Sequence, residues 1–263
     1  MKLLIVDDNW WDKIDYFLKF TKPIVDMLRA ADKDGPLLHL IYDMWDTMIE
    51  NVKAIIFEQE GLDISSGQSQ FFDAIHEILV SRWAKSNTPL HCLAHALVPK
   101  YYSASWLEGG AFKRLAPHED EEISINRLKC FQRLFPNQED FKKVSCEYKA
   151  FSTGSEFFNQ PHVVVARSYE EPLSWWANYG SPTPLLQALA FKLLAQPASS
   201  SCCERNWSTY SQIHSIKRNK LTTSRAEDLV FVHSNLRLLS RKEEDYTKGP
   251  SKYWDIGKSL YFN

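Results

Sequence analysis

The chain has 263 residues, with 31 Lys and Arg against 33 Asp and Glu for a formal net charge of −2, and 44% of its residues are hydrophobic. That composition excludes a polycationic tail, a collagen-like chain and low-complexity disorder, and it suits one large domain or two small ones. The 9 Trp and 15 Phe require burial, in a core or against a partner.

Residues 7–28 place Trp11, Ile14, Leu18, Thr21, Val25 and Leu28 at steps of three and four, the stripe of an amphipathic helix. Pro23 lies inside the stripe and predicts a kink or a break, because proline removes a backbone donor and crowds the preceding turn. The stripe resumes as Leu37, Leu40, Ile41, Met44, Trp45, Met48, Val52 and Ile55, which predicts the longest clean helix, ending before Gly61. Residues 64–70 read as a loop, and Phe71, Phe72, Ile75, Ile78, Leu79 and Trp83 form a third stripe. Thr88-Pro89 supplies a cap and a first-turn proline for a fourth helix running to Val98.

Two further helices are predicted over residues 119–135 and 137–151, with Phe135-Pro136-Asn137 as the stop and the next cap. Residues 158–169 are ambiguous: Val163-Val164-Val165 suits a short strand, but one strand alone has nothing to pair with, so helix or irregular structure is expected. A short helix then carries Trp175, Trp176 and Tyr179, and Gly180-Ser181-Pro182 breaks it. Helices follow over 183–194, 201–215 and 223–240, and residues 241–263 form a mixed-charge tail expected to be loosely held. Strands alternate with helices nowhere, so the fold class is all-α, an irregular multi-helix assembly.

No apolar run approaches the roughly 18–20 residues a membrane span needs, so no membrane partner is expected. The five Cys are odd in number and two of them, Cys202 and Cys203, are adjacent, which suits free thiols in a reducing compartment better than a disulfide framework.

Candidate chemistry is sparse. His91 and His95 stand at i and i+4 on one helix face, a spacing a metal would use, but Leu90, Leu93 and Leu97 favour a packed helix with hydrogen-bonded imidazoles. The acidic run at residues 119–122 reads as a dipole-favoured first helical turn. Neither a Gly-x-Ser-x-Gly elbow nor a Gly-rich phosphate loop occurs. From residue 204 to 242 eight basic residues stand against three acidic ones, so a nucleic-acid surface is one reading and a solvated helical face the commoner one. Glu204-Arg205, at the head of an amphipathic helix, is either a metal-binding acid with a phosphate-facing neighbour or simple compensation of the helix dipole.

Trp175-Trp176, Pro184-Leu185-Leu186, Ala190, Pro197, Ser199-Ser200, Glu204-Arg205, Trp207-Ser208, Arg218-Asn219, Leu221, Leu229-Val230 and Asn235 form an ordered set. Together they closely resemble the C-terminal dimerisation region of the hAT superfamily of DNA transposases, over roughly 173–239. Upstream, Ser81-Arg82-Trp83, Pro89-Leu90-His91, Leu97-Val98-Pro99 and Tyr101-Tyr102 are similar to the helical insertion segment of plant hAT-like proteins, with Val98 where Asn is usual.

The resemblance implies residues 1–151 as an insertion-like segment, 152–172 as a linker, 173–240 as the dimerisation region and 241–263 as a tail. It implies the C-terminal helices of an RNase H-like transposase core without its β-sheet. Complete family members bind divalent metal through two Asp and one Glu. Glu204 matches the glutamate, and neither aspartate is matched, so the resemblance implies a vestigial acid, no metal, no cofactor and no catalysis. What it leaves is dimerisation, with Trp175, Trp176, Leu185, Leu189, Trp207, Leu229, Val230, His233 and Leu236 as the expected interface. The expected partners are a second copy or a full-length hAT-like protein, in the nucleus. The alternatives are a metal-dependent transposase completed by a partner's aspartates, and a nucleic-acid-binding regulator with Arg205, Lys217 and Arg218 as phosphate contacts.

Overall fold

A computed structural model of the chain describes residues 8–33, 35–109, 114–213 and 221–240. The expected tail at 241–263 lies outside the described residues. Among those described, every regular element is helical and no strand occurs. None of the helices is long and apolar enough to cross a membrane.

Helix α1 spans Asp8–Ala31 and runs through Pro23 without the expected break. A proline inside a helix forfeits one ladder bond, and α1 carries local side-chain bonds on either side of it: the Thr21 hydroxyl donates to the Phe17 carbonyl at 2.6 Å, and Lys22 pairs with Asp26 one turn on. A 3-10 turn over Leu38–Leu40 leads into α2, Ile41–Glu60, which ends at Gly61 in the left-handed conformation, where φ is 65°. The Gly61 N–H bonds back to the last turn, the close that glycine allows without steric cost.

Helix α3, Gln70–Ser86, is capped by Ser69, whose hydroxyl accepts from the Phe72 N–H at 3.0 Å. Helix α4, Pro89–Ala96, begins with its proline at the first position, as expected, and His91 rather than an acid closes the cap: its Nδ1 accepts from the Thr88 N–H at 3.2 Å. The 3-10 turn Pro99–Tyr102 and the one-turn α5, Ala104–Leu107, have no hydrophobic stripe that would announce them.

Asp120 and Asn137 cap α6, Glu121–Leu134, and α7, Gln138–Ser152, through side-chain acceptors on the Ile123 and Glu139 amides. The acidic run thus opens a helix. Its Glu122 carboxylate also accepts from Asn87 at 2.7 Å, Tyr42 at 3.2 Å and Trp83 at 3.3 Å. Residues 152–172, expected as a linker, instead form a 3-10 turn, Glu156–Asn159, and helix α8, Pro161–Tyr169. Phe158, Val163 and Ala166 from this stretch are fully buried, so it belongs to the core.

Helices α9, Pro172–Tyr179, and α10, Pro184–Leu194, follow, then α11, Ser201–Ile213, and α12, Thr223–Ser240.

The chain divides into two compact units: Met1–Leu28 with Pro36–Ala198, and Arg29–Gly35 with Ser199–Asn263. The division therefore falls after α10 and not ahead of α9. In the first unit Leu93, Leu97, Phe131, Phe151, Phe158, Trp175, Trp176, Leu186 and Leu194 are fully buried in one continuous core. Its ends are tied together where the Gln196 carbonyl accepts from the Leu37 and Leu38 amides at 3.0 and 3.1 Å. In the second unit α11 and α12 pack on each other, and Ala226 and Val230 of α12 are buried.

Candidate dimerisation surface

Helix α11 opens on serines. The backbone amides of Cys203 and Glu204 bond to the Ser200 carbonyl at 2.9 and 3.0 Å, the Ser200 hydroxyl donates to the Glu204 carboxylate at 3.3 Å, and the Ser201 hydroxyl donates to Asp32. Glu204 is exposed in the first turn, where a negative charge offsets the partial positive charge of the unpaired amides. Among the described residues no group of three or more His, Cys, Asp and Glu is placed to hold a metal ion. The backbone of Arg205 lies in α11 but its side chain is outside the described set, as are Lys217 and Arg218 altogether.

Helix α12 packs on α11. Ala226 is fully buried, Val230 is buried one turn on, and the Ser234 hydroxyl donates to the Asn206 side-chain oxygen at 3.2 Å. Beyond them, the described apolar side chains from Leu229 to Leu239 other than Val230 are exposed. Leu229, Val232, Leu236 and Leu239 recur at steps of three, four and three, so they share one helix face, and they are 44, 50, 61 and 60% exposed. Phe231, off that stripe, and Trp207 on α11 are 69 and 71% exposed.

The sequence-predicted interface therefore separates into two groups. Leu229, His233, Leu236 and Trp207 are exposed on the second unit, and Val230 is buried. Trp175, Trp176 and Leu189 are corrected: the two tryptophans are fully buried and Leu189 is 7% exposed, all in the core of the first unit, so no second chain reaches them. Leu185 is half-buried and packed on that core.

The inward turn of the tryptophans has a hydrogen-bonding cause. The Trp176 indole N–H donates to the Leu97 carbonyl at 2.7 Å, and that of Trp175 to the Val163 carbonyl at 3.4 Å, so each ring is buried with its polar atom satisfied. Around them Phe158 stacks on Trp175 with ring centres 5.8 Å apart, and Phe151 lies 4.8 Å from Trp176. Arg167 is buried beside them, its guanidinium donating to the Phe151 carbonyl at 2.6 Å, and burial lowers its pKa to about 10.

Val232 and Phe231 belong to the exposed apolar surface but were missed in the sequence. Val232 stands three after Leu229 and four before Leu236, a spacing that was available. Phe231 carried no such signal.

Residues 153–236 match the model of the hAT family C-terminal dimerisation region. That span takes in the end of the first unit from α8 onward, α11, and α12 as far as Leu236. No curated protein and no solved structure matches the chain.

Proposed function

We propose, from the hAT C-terminal dimerisation region at residues 153–236, that this protein is a transposase-derived module that pairs with a second copy of itself through α12. The observation that carries the proposal is the stripe of Leu229, Val232, Leu236 and Leu239, exposed along one face of a helix whose buried described side chains are Ala226 and Val230. Covering each such side chain contributes on the order of 1 kcal/mol, and the exposed Trp207 is the residue type that most often anchors an interface.

The module works by association and not by catalysis. Glu204 supports this reading through its bonds at the start of α11, which give the carboxylate a local role in the helix terminus. A full-length hAT-like protein presenting the same helix is the natural second partner, and a nuclear setting accords with a transposase origin.

Light scattering across a concentration series, with circular dichroism as the control for folding, tests the proposal. The wild type is expected to form a dimer and Leu229→Asp a folded monomer. A wild type that remains monomeric at every concentration overturns it.

A further inference from the structure

Helix α1 buries one side and leaves another open. Phe20 and Met27 are buried, and the Phe20 ring meets Phe71 of α3 edge-on with centres 5.4 Å apart. Trp11, Leu18, Val25 and Leu28 of the same helix are 45, 58, 41 and 58% exposed.

The spacing of the open side is that of a helix pair. Trp11, Leu18 and Val25 stand seven residues apart, and so do Ile14, Thr21 and Leu28, each three residues further on. Two apolar positions repeating every seven residues form a seam that a second helix covers along its whole length by winding round it. The polar member, Thr21, has its hydroxyl bonded to the Phe17 carbonyl at 2.6 Å, so covering it strands no donor.

The charges beside the seam say which helix fits. Asp8, Asp15, Lys22 and Arg29 also recur every seven residues, all of them exposed, along one flank. Two acids are followed by two bases, so the flank is its own complement when reversed. An antiparallel second copy of α1, with Leu18 beside the partner's Thr21, brings Asp15 to the partner's Lys22 and Asp8 to the partner's Arg29. Two-fold symmetry makes each contact twice. The other flank, which carries Phe17 and Ile24, then meets itself and widens the apolar seam. A parallel copy would set Lys22 against the partner's Phe17 and leave the flank's charges unmatched. Lys22 holds Asp26 one turn on and is still 72% exposed, and an ammonium has three N–H donors.

We propose that α1 pairs antiparallel with α1 of a second copy, through this seam and its acid–base contacts. The pairing uses a different helix from the α12 stripe and stands whether or not α12 pairs. A 24-residue helix holds little more than three heptads, and with a threonine in the seam the contact is weak, with a Kd of about 0.1 mM. Where α12 also pairs, α1 links one dimer to the next.

Sedimentation velocity of the full chain carrying Leu229→Asp, which disables the α12 stripe, tests the proposal between about 1 µM and about 1 mM. The chain is expected to be monomeric at the low end and dimeric at the high end, and to stay monomeric throughout once Leu18→Asp or Val25→Asp is added. Asp15→Lys and Lys22→Asp are each expected to weaken the pairing about fivefold, because each turns two attractive contacts into repulsive ones. The double variant Asp15→Lys, Lys22→Asp restores it. Circular dichroism checks that every variant keeps its helix content. A chain that stays monomeric to about 1 mM, pairing that survives both seam substitutions, or a double variant that pairs no better than the singles overturns the proposal. The α12 reading is scored separately, on the wild type at about 1 µM, where the α1 contact is not populated.

Discussion

The indole N–H of Trp176 donates to the main-chain carbonyl of Leu97 across 79 residues of sequence, at 2.7 Å and wholly out of solvent. The bond fastens α9 to the end of α4, so the first half of the family-matched stretch is built into the upstream helices. Trp176→Phe keeps the ring but leaves the Leu97 carbonyl unpaired, and is expected to cost about 1–3 kcal/mol. Trp176→Ala opens a cavity as well and is expected to cost about 3–5 kcal/mol. Urea denaturation measures both, and equal stability of the phenylalanine variant and the wild type would contradict the role given to the bond.

The same packing bears on the matched segment taken alone. Residues 153–236 include Trp175 and Trp176 but not Leu97 or Phe151, which bond and pack them. Expressed by itself, that segment is expected to show little cooperative thermal unfolding by circular dichroism, whereas the whole chain melts in a defined transition. A sharp melt of the segment alone would show that its aromatic residues find each other without the upstream helices.

Glu147 presents a second cross-chain device. Thr183 precedes α10 without capping it through its side chain. Instead the Glu147 carboxylate, from α7, accepts from the Leu186 amide at 2.8 Å, and the residue is 7% exposed. Glu147→Ala is expected to cost about 1–2 kcal/mol, the value of a helix cap, while Glu147→Gln, which retains an acceptor oxygen, costs less. Chemical denaturation of the two variants side by side separates a lost cap from a lost charge.

Stability also carries a pH signature. Burial lowers His39 to about 4 and His95 to about 3, from an unperturbed 6.5. The unfolded chain therefore binds protons that the folded chain refuses, and the stability these two residues contribute is lost as pH falls below about 6.5. Asp46, raised from 3.8 to about 7, acts in the opposite sense, because its folded form keeps a proton longer and gains stability as pH falls from about 7 towards 4. His39→Asn is expected to flatten the loss between pH 7 and 5, and Asp46→Asn to steepen it. Urea midpoints at the two pH values give the slopes, and slopes identical to that of the wild type would remove these groups from the account.

The helical class was legible because it rests on local signals. Stripes at steps of three and four, Thr88-Pro89 and Asn137 place α4 and α7 to within a residue or two at their starts. Pro23 misled because a proline's local cost was set against nothing, while the rest of α1 continues past it. The short turns after Pro99 carry no stripe and were invisible. The second kind of failure is tertiary. An apolar residue on a helix face reads alike whether it meets its own core or another molecule, so Trp175 and Trp176 were grouped with Leu229 and Leu236 although they are fully buried and the leucines are 44 and 61% exposed.

The boundary between Ala198 and Ser199 falls inside the matched span and sorts inherited changes there into two kinds. A substitution at one of the buried aromatic residues before it, Phe158, Trp175 or Trp176, lowers the amount of folded protein in the cell. One after it, on the outer face of α12, leaves the protein abundant and, on the proposed assembly, solitary. Two alleles of the first kind fail together, whereas, on the proposed assembly, a charge-reversed pair on opposing α12 faces can restore each other, so a suppressor screen started from Leu229 is expected to return changes beyond residue 198.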